Sequence, residues 1–177
     1  MSSNRASERP MRVLFVCLGN IVRSPLAEAL FRHEAQRRGV AHKYEVDSAG
    51  IGSWHVGEPP DPRMRRVAQR HGLEYDHRAR QFHPHDFDRF DLIVAMDRDN
   101  WTHLMALAAG RPEAQRKIRL LREFDPQSDG DLDVPDPYYD DLEAFEAVYQ
   151  IIARSVRGLL DALEAQNGAT PPSEATA

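Results

Sequence analysis

The 177-residue sequence is poor in several features that would otherwise define its class. It contains one cysteine, and aromatic residues make up only 8% of it. A single cysteine excludes an internal disulfide framework and is typical of proteins in a reducing compartment. No apolar run approaches the length of a membrane-spanning helix, and the first ten residues have no apolar signal core. We therefore expect a cytoplasmic protein that does not associate with a membrane.

An excess of positive charge is lacking as well. The formal net charge is −5, whereas nucleic-acid-binding domains usually carry a basic surface, so we expect no nucleic acid partner. The length favours one domain. We expect a disordered leader over residues 1–10, the domain over 11–165, and a disordered tail rich in Pro, Ser, Thr and Ala over 166–177.

The most informative stretch combines a strand, a tight loop and a helix start. Residues 13–16 are four apolar residues in a row, which suit a strand covered on both faces. Gly19 and Asn20 belong to the residue types that tolerate positive φ, so the chain can turn sharply there. Ser24 followed by Pro25 is typical of an N-cap and the first helical turn.

The chemistry of this unit centres on Cys17 and Arg23. A tight loop before a helix points backbone N–H groups inward and binds anions. Arg23 adds a planar guanidinium that can hold two phosphate oxygens. The same positive surroundings favour the thiolate of Cys17, a nucleophile aimed at phosphorus. The alternative is a buried structural cysteine near an unrelated arginine, because this spacing alone is common; the surrounding glycine, asparagine and Ser-Pro pair favour the catalytic interpretation.

The rest of the chain alternates strands and helices. Beyond 13–16 we predict strands over 43–49, 91–96 and 117–121, and helices over 25–38, 61–71, 97–109 and 142–164. A long irregular segment covers 124–141, and such loops in compact domains are commonly functional. The alternation predicts a doubly wound α/β fold, in which ligands bind beyond the carboxyl ends of the strands.

The segment around Cys17 resembles the phosphate-binding loop of the low-molecular-weight protein tyrosine phosphatases, and it reads Val16-Cys17-Leu18-Gly19-Asn20-Ile21-Val22-Arg23-Ser24-Pro25-Leu26-Ala27-Glu28. That family's second motif stands here as Asp136-Pro137-Tyr138-Tyr139. Shorter matching stretches lie between them, at 47–50, 57–61, 79–81 and 96–97. The likeness covers roughly residues 11 to 162, with both main motifs in the right order. It implies a flavodoxin-like four-stranded parallel sheet with helices on both faces.

The resemblance also implies an activity, the hydrolysis of phosphotyrosine in proteins and of small aryl phosphates through a phosphocysteine intermediate. Cys17 would be the nucleophile, Arg23 the phosphate clamp, and Asp136 the general acid that later acts as base. From the residues alone, Asp136 is equally suited to open an Asp-Pro turn. The neighbouring Asp140 and Asp141 are expected to favour its protonated form.

Further residues are assigned to the site by the same resemblance. Phosphate or substrate contacts are expected from Leu18, Gly19, Asn20, Ile21, Val22 and Ser24. Trp54 and Tyr138 are candidate aromatic walls for an aryl phosphate, with ordinary packing as the alternative. Asn20, Ser48 and His77 match positions that brace the loop through hydrogen bonds, although His77 taken alone suggests a surface histidine. Ser24 is also a candidate hydrogen-bond partner of the thiolate.

No cofactor and no metal are expected, since His83-Pro84-His85 has no supporting ligands at a recognised spacing. The expected partners are phosphotyrosine-containing proteins, with a cognate tyrosine kinase as a further candidate, and the chain is expected to be a monomer. One departure from the family is Val22, where a second cysteine often stands. Without it, oxidised Cys17 has no internal thiol to form a disulfide with.

Three other functions compete with this interpretation. Thioredoxin-linked arsenate reductases share the fold and loop, but their chemistry needs further cysteines that this chain does not have. Protein-arginine phosphatases of the same family tend to carry threonine where Ile21 stands, and the larger apolar residue suits an aryl substrate better. A non-catalytic phosphotyrosine-binding module would require neither nucleophile nor acid, so the combination of Cys17, Arg23 and Asp136 disfavours it.

Overall fold

The computed structural model describes residues 9–168 and has an α/β fold. Its single described sheet has four strands in the order β2-β1-β3-β4, and every neighbouring pair is parallel. The strands are β1 (Met11–Cys17), β2 (Tyr44–Gly50), β3 (Leu92–Ala95) and β4 (Ile118–Leu120). The fold predicted from the sequence is confirmed.

Helices cover both faces of this sheet. They are α1 (Arg23–Arg37), α2 (Pro62–Arg70), α3 (Asp86–Arg89), α4 (Arg98–Leu107), α5 (Pro112–Gln115) and α6 (Leu142–Gly168). The long helices α1 and α6 pack together on one face with α2, while α4 packs on β3 and β4 from the other. Within residues 9–168, none of these helices is both long and apolar enough to cross a bilayer.

The central strand β1 supplies side chains to two separate cores. Val13, Phe15 and Cys17 belong to the core beneath α1 and α6, whereas Leu14 and Val16 belong to the core beneath α4. Both sets are buried because successive side chains of a strand point to opposite faces. This explains the continuous apolar run in the sequence.

The strand order places a crevice at the carboxyl end of β1. From β1 the chain first moves outward to β2 and then returns across the sheet to β3 and β4. Connections after β1 and β3 therefore leave toward opposite faces and open a space between them, which is where doubly wound folds bind ligands. The loop that follows Cys17 lies at this point.

Several predicted boundaries differ from the structure. Helix α1 begins at Arg23, its N-cap residue is Val22, and no side chain caps it. The prediction that Ser24 is the N-cap is therefore wrong, because its hydroxyl turns inward to the thiol instead. The short helices α3 and α5 were not predicted; each is a single turn within a connection.

The predicted termini also need correction. Helix α6 extends through Gly168, so residues 166–168 of the predicted disordered tail are helical. This end is anchored because Glu164 accepts hydrogen bonds from Lys43 and from the hydroxyl of Tyr44. At the other terminus, Arg9 lies 3.4 Å from Asp91 in an ion pair. Residues 1–8 of the predicted leader and 169–177 of the tail lie outside the described residues.

Candidate active site

A cavity of about 350 Å³ opens beyond the carboxyl end of β1. It holds the three residues predicted to be catalytic. Its lining consists of Cys17, Leu18, Gly19, Ile21, Val22, Arg23, Trp54, His55, Asp136, Tyr138 and Tyr139. Three segments that are distant in sequence thus meet around one space.

The sulfur of Cys17 lies at the base of the loop, and the residue is only 2% exposed. The backbone N–H of Asn20 donates to it at 3.3 Å, and the hydroxyl oxygen of Ser24 lies 3.0 Å away. Asn20 adopts the left-handed conformation, with φ of 59°, which turns its N–H back toward the sulfur. Two polar groups therefore converge on the atom that would carry negative charge.

Arg23 is the other buried group of the loop, with 2% of its side chain exposed. Its guanidinium donates to Asp97 Oδ2 at 2.7 Å and to the carbonyl of Val134 at 2.9 Å, and lies 3.5 Å from Asp136 Oδ2. Burial opposes its charge, but the Cys17 sulfur, Asp97 and Asp136 outweigh that effect, so the pKa of Arg23 lies above its ordinary value. The group is a fixed cation in the cavity.

Asp97 was not among the predicted site residues, yet it orients Arg23. It follows β3, and its Oδ1 accepts the backbone N–H of Asn100 at 2.7 Å, which caps α4. Its Oδ2 accepts from Arg23. One carboxylate thus fixes both the start of a helix and the direction of the guanidinium. The sequence does contain a signal for this role, because Asp97 directly follows a predicted buried strand. The carboxyl end of that strand lies at the same edge of the sheet as the carboxyl end of β1.

A buried hydrogen-bond network supports the loop from behind. The side-chain amide of Asn20 donates to Ser24 Oγ at 2.9 Å and to Ser48 Oγ at 3.0 Å. Its oxygen lies 2.9 Å from Nε2 of His77, which accordingly carries a hydrogen. Ser48 donates to Glu28 at 2.7 Å. Because Ser24 already accepts from Asn20, its own hydrogen is available to the sulfur.

Asn20 and Ser24 make the bracing and sulfur contacts that were among the roles predicted for them. Both are buried and neither lines the cavity, and their expected contacts with phosphate or substrate stay a prediction. Their side chains act on the loop and the sulfur. Ser48 and His77 lie in the predicted network, and Glu28 joins it although sequence reasoning had not singled it out.

Two glycines allow close packing around the loop. Of the two residues that tolerate positive φ, Asn20 adopts it and Gly19 does not; a Cβ on Gly19 would lie 3.0 Å from the ring of His55. A Cβ on Gly50 would lie 3.0 Å from the Leu18 carbonyl and 3.1 Å from the Asn20 nitrogen. At Gly50 two of the close neighbours are backbone atoms, so a side chain there would displace the loop, and the glycine brings the end of β2 directly against it. At Gly19 the close neighbour is the side chain of His55.

The cavity entrance is lined by aromatic side chains. Trp54, predicted as a wall, is 69% exposed, and its ring covers Gly52. Tyr138, the other predicted wall, lies on the opposite loop with its ring centroid 6.1 Å from that of His55. His55 and the 94%-exposed Tyr139 also line the cavity, although sequence reasoning did not include them. A flat aryl group fits between such faces.

The loop that carries Asp136 is held at several points. The backbone N–H of Val134 donates to the Met96 carbonyl at 2.8 Å, so the loop runs beside the end of β3. Oδ1 of Asp136 accepts the backbone N–H of Tyr138 at 3.2 Å, which is the turn-forming role considered above. Its Oδ2 faces Arg23. The two interpretations of Asp136 are therefore compatible.

The negative charge of this loop is mostly paired. Asp125 accepts from Arg122 and Arg154, and Asp133 accepts from Arg98. Asp141, one of the two aspartates expected to favour the protonated form of Asp136, accepts the backbone N–H of Ala144 in the first turn of α6. The loop is better described as a set of ion pairs than as a uniformly acidic surface.

One group of potential metal ligands occurs in the described part of the chain. Side-chain atoms of Glu28, Asp47 and His77 lie within 4.8 Å of one another. Each carboxylate already has an arginine partner, Arg32 for Glu28 and Arg80 for Asp47. The group is therefore an ion-pair cluster beside the loop network.

Solved structures share this architecture and define the class. YfkJ from Bacillus subtilis is 42% identical with a TM-score of 0.83, covering 89% of this chain and 97% of that one. A Drosophila arginine phosphatase is 37% identical with a TM-score of 0.80, covering 86% and 98%. The fold is therefore that of one class of cysteine-dependent phosphatases, and the Cys17-x5-Arg23 loop lines its cavity.

Sequence comparison identifies the family within that class. A protein named low molecular weight protein-tyrosine-phosphatase from Streptomyces coelicolor is 48% identical over 156 residues, covering 88% of this chain and 94% of the relative. The family model for low molecular weight phosphotyrosine protein phosphatase matches residues 12–169. The chain belongs to the low molecular weight phosphotyrosine protein phosphatase family.

Proposed function

We propose that this chain hydrolyses phosphotyrosine in proteins, and small aryl phosphates, through a phosphocysteine intermediate. The observation that carries the proposal is the meeting of Cys17, Arg23 and Asp136 around one aromatic-rimmed cavity. A nucleophile, a fixed cation and a proton donor are the three groups that transfer of a phosphoryl group from an aryl ester requires.

The first step breaks the ester. The guanidinium of Arg23 and the loop N–H groups hold the phosphoryl oxygens over the sulfur. The thiolate of Cys17 attacks phosphorus, the S–P bond forms, and the bond from phosphorus to the phenolic oxygen breaks. Asp136 gives its proton to that oxygen, so neutral tyrosine leaves and Asp136 becomes a carboxylate.

The second step releases phosphate. Asp136, now ionised, takes a proton from a water molecule whose oxygen attacks phosphorus. The S–P bond breaks, inorganic phosphate leaves, and Cys17 returns to the thiolate. The hydroxyl of Ser24, 3.0 Å from the sulfur, stabilises the thiolate as a leaving group. No bound metal or cofactor takes part in either step.

The partners that follow are phosphotyrosine-containing proteins, and a kinase that makes them is a further candidate. We also propose that the chain acts in the cytoplasm, since its single cysteine suits a reducing compartment, and that it acts as a monomer. The exposed rim of Trp54 and Tyr139 supports access by a protein-borne side chain.

Phosphate release from a phosphotyrosine peptide tests this function. Wild type should turn over in the presence of a chelator, and Cys17→Ser should be inactive while keeping the same melting temperature. Asp136→Ala should retain about 1% or less of wild-type kcat, in line with loss of a general acid. Persistent turnover by Cys17→Ser would contradict the proposal.

Arginine phosphatase activity is the second candidate. The likeness to the Drosophila arginine phosphatase favours it, whereas the apolar Ile21 at the cavity favours an aryl substrate. Parallel assays with phosphotyrosine and phosphoarginine peptides of one backbone sequence separate them. We expect kcat/KM to favour phosphotyrosine in wild type, and Ile21→Thr to reduce that preference. A wild-type preference for phosphoarginine would select the second candidate.

A further inference from the structure

Arg63, in the first turn of α2, contacts the loop that carries Asp136 directly and reaches the phosphate-binding loop through Asp61, without lining the cavity. Its Nε and Nη2 donate to the two carboxylate oxygens of Asp61, at 3.0 and 2.7 Å. Its Nη1 donates to the backbone carbonyl of Tyr138 at 2.8 Å. One guanidinium therefore joins the N-cap of α2 to the segment that carries Asp136.

Aromatic rings hold this guanidinium in place. Its carbon lies 5.2 Å from the ring centroid of Tyr138 and 4.6 Å from that of Phe145, the latter in α6. Cation–π contacts and a bidentate carboxylate leave the guanidinium few alternative positions. Asp61 raises the pKa of Arg63 above its ordinary value, so the group stays charged throughout the working pH range.

The other end of the connection reaches the phosphate-binding loop. The backbone N–H of Asp61 donates to the carbonyl of Ile21 at 2.8 Å. Asp61 is 5% exposed, and its carboxylate also caps α2 through the N–H of Arg63. A continuous path thus runs from Ile21 through Asp61 and Arg63 to Tyr138, two residues from Asp136.

We propose that Arg63 is a positioning residue for general acid catalysis, which holds the Asp136 loop at a fixed height above the phosphate-binding loop. The inference rests on the proposed function. Proton transfer to a leaving oxygen requires the acid within hydrogen-bond reach, so a small displacement of the loop reduces the rate. Arg63 acts through the backbone at Tyr138 and touches neither phosphate nor nucleophile.

The leaving group of the substrate provides a diagnostic measurement. A poor leaving group such as the phenolate of phenyl phosphate needs the proton, whereas 4-nitrophenolate leaves readily without it. We expect Arg63→Ala to lower kcat/KM for phenyl phosphate about tenfold and for 4-nitrophenyl phosphate about twofold. Arg63→Lys keeps the positive charge but loses the planar guanidinium that bonds both oxygens of Asp61. Its kcat/KM for phenyl phosphate should therefore lie between those of wild type and Arg63→Ala. Arg66→Ala, an exposed arginine of the same helix, is the matched control and should change neither value.

A double-mutant cycle with Asp136→Ala separates positioning from general structural support. If Arg63 acts through the acid, Arg63→Ala/Asp136→Ala should be no slower than Asp136→Ala alone. Equal losses on both substrates, or multiplicative losses in the double variant, would overturn the inference. Should Arg63→Ala not fold, Arg63→Lys is carried through the same cycle with the same criteria.

A measurement without substrate keeps this inference distinct from the proposed function. Hydrogen exchange at the backbone amides of residues 138–141 should be faster in Arg63→Ala than in wild type and unchanged in Arg66→Ala. An inactive wild type would contradict the proposed function, whatever the exchange result. Unchanged exchange in Arg63→Ala would overturn the positioning role, whatever the activity.

Discussion

At the scale of single residues, the sulfur of Cys17 and the hydroxyl of Ser24 form a close contact in the site. Ser24 lies 3.0 Å from the sulfur and accepts from Asn20, so its hydrogen is available to a thiolate. In the proposed mechanism, a charge-assisted hydrogen bond of this kind stabilises the thiolate when it forms and as the S–P bond breaks. Sequence reasoning gave Ser24 two roles, and the structure separates them, since its hydroxyl contacts the sulfur and does not cap the helix.

Ser24→Ala should reduce turnover about tenfold, the effect of losing one hydrogen bond to a charged group. The rate of Cys17 alkylation by iodoacetate near neutral pH should fall as well, while the melting temperature stays within a few degrees of wild type. Ser155→Ala is the matched control, because that buried hydroxyl bonds only within α6, to the carbonyl of Ile151. Unchanged turnover in Ser24→Ala would contradict this account of the hydroxyl.

Peroxide sensitivity tests the consequence of Val22. Oxidation of Cys17 gives a sulfenic acid, and the sequence contains no second thiol to convert it to a disulfide. We expect peroxide inactivation that dithiothreitol reverses poorly, with sulfinic acid on Cys17 detected by mass spectrometry. Val22→Cys should restore reversibility. Full recovery of wild-type activity on adding dithiothreitol would count against the prediction.

At the scale of elements, the ends of β1 and β3 and the turns beside them build the site. Two contacts bring the loop that carries Asp136, here called the acid loop, to the strand that carries Cys17. Asp97 after β3 bonds Arg23, and the backbone N–H of Val134 donates to the carbonyl of Met96. Other contacts between elements stabilise this arrangement without touching the cavity. In the last turn of α1, Glu34 accepts from Arg37 and Arg38, and Arg38 also pairs with Asp161 of α6 at 2.8 Å.

The Glu34 cluster predicts a specific dependence of stability on pH. Hydrogen bonds from Arg37 lower the pKa of Glu34 to about 2, against partial burial that raises it, with Arg38 adding to the decrease. A lowered pKa stabilises the fold at pH values above the unfolded pKa, and that contribution is lost as the pH falls from about 4.5 toward 2.

Glu34→Gln should therefore lower the free energy of unfolding by about 1 kcal/mol at pH 7, a reduced value because both arginines are partly exposed. The difference from wild type should shrink between pH 4.5 and pH 3 in denaturant titrations. Glu45→Gln removes an exposed pair with Arg12 and should have almost no effect at either pH. A pH-independent difference for Glu34→Gln would contradict the prediction.

Gly158 allows α6 to pack against the segment before the acid loop. A Cβ at this position would lie 1.9 Å from the carbonyl oxygen of Phe124, which is backbone and cannot rotate away. Gly158→Ala should lower the free energy of unfolding by about 2 kcal/mol or more, because the helix must shift, despite alanine's better helix propensity. An increase in melting temperature would show that the contact relaxes readily.

At the scale of the whole molecule, the sequence was sufficient for the sheet and for the loop motif. Alternating strand and helix patterns predicted a doubly wound α/β fold, because such patterns depend on local periodicity, and the family resemblance implied the four parallel strands. Cys17 and Arg23 were recognisable because the loop is contiguous in sequence. The tail boundary was missed because the last turns of α6 are stabilised by Lys43 and Tyr44, more than a hundred residues away.

Among the residues that act across the fold, Ser48 and His77 were predicted only through the family resemblance, and three others were not predicted. Asp97, Glu28 and Arg63 are ordinary charged residues whose roles arise only where their partners are distant in sequence. Arg63 lies in a helix with several other arginines, a pattern typical of a solvated basic face. Local patterns carry no information about a contact between α2 and the carbonyl of Tyr138, so such residues become identifiable once the topology is known.

The central claim is that Cys17 carries the phosphoryl group during turnover, and rapid acid quench followed by peptide mass spectrometry tests it most directly. Wild type mixed with 4-nitrophenyl phosphate should show the mass of one phosphoryl group on the peptide that contains Cys17, within the first turnover. Cys17→Ser should show no modification. Turnover with an unmodified Cys17 peptide, or with the phosphoryl group on another residue such as His55, would contradict the account.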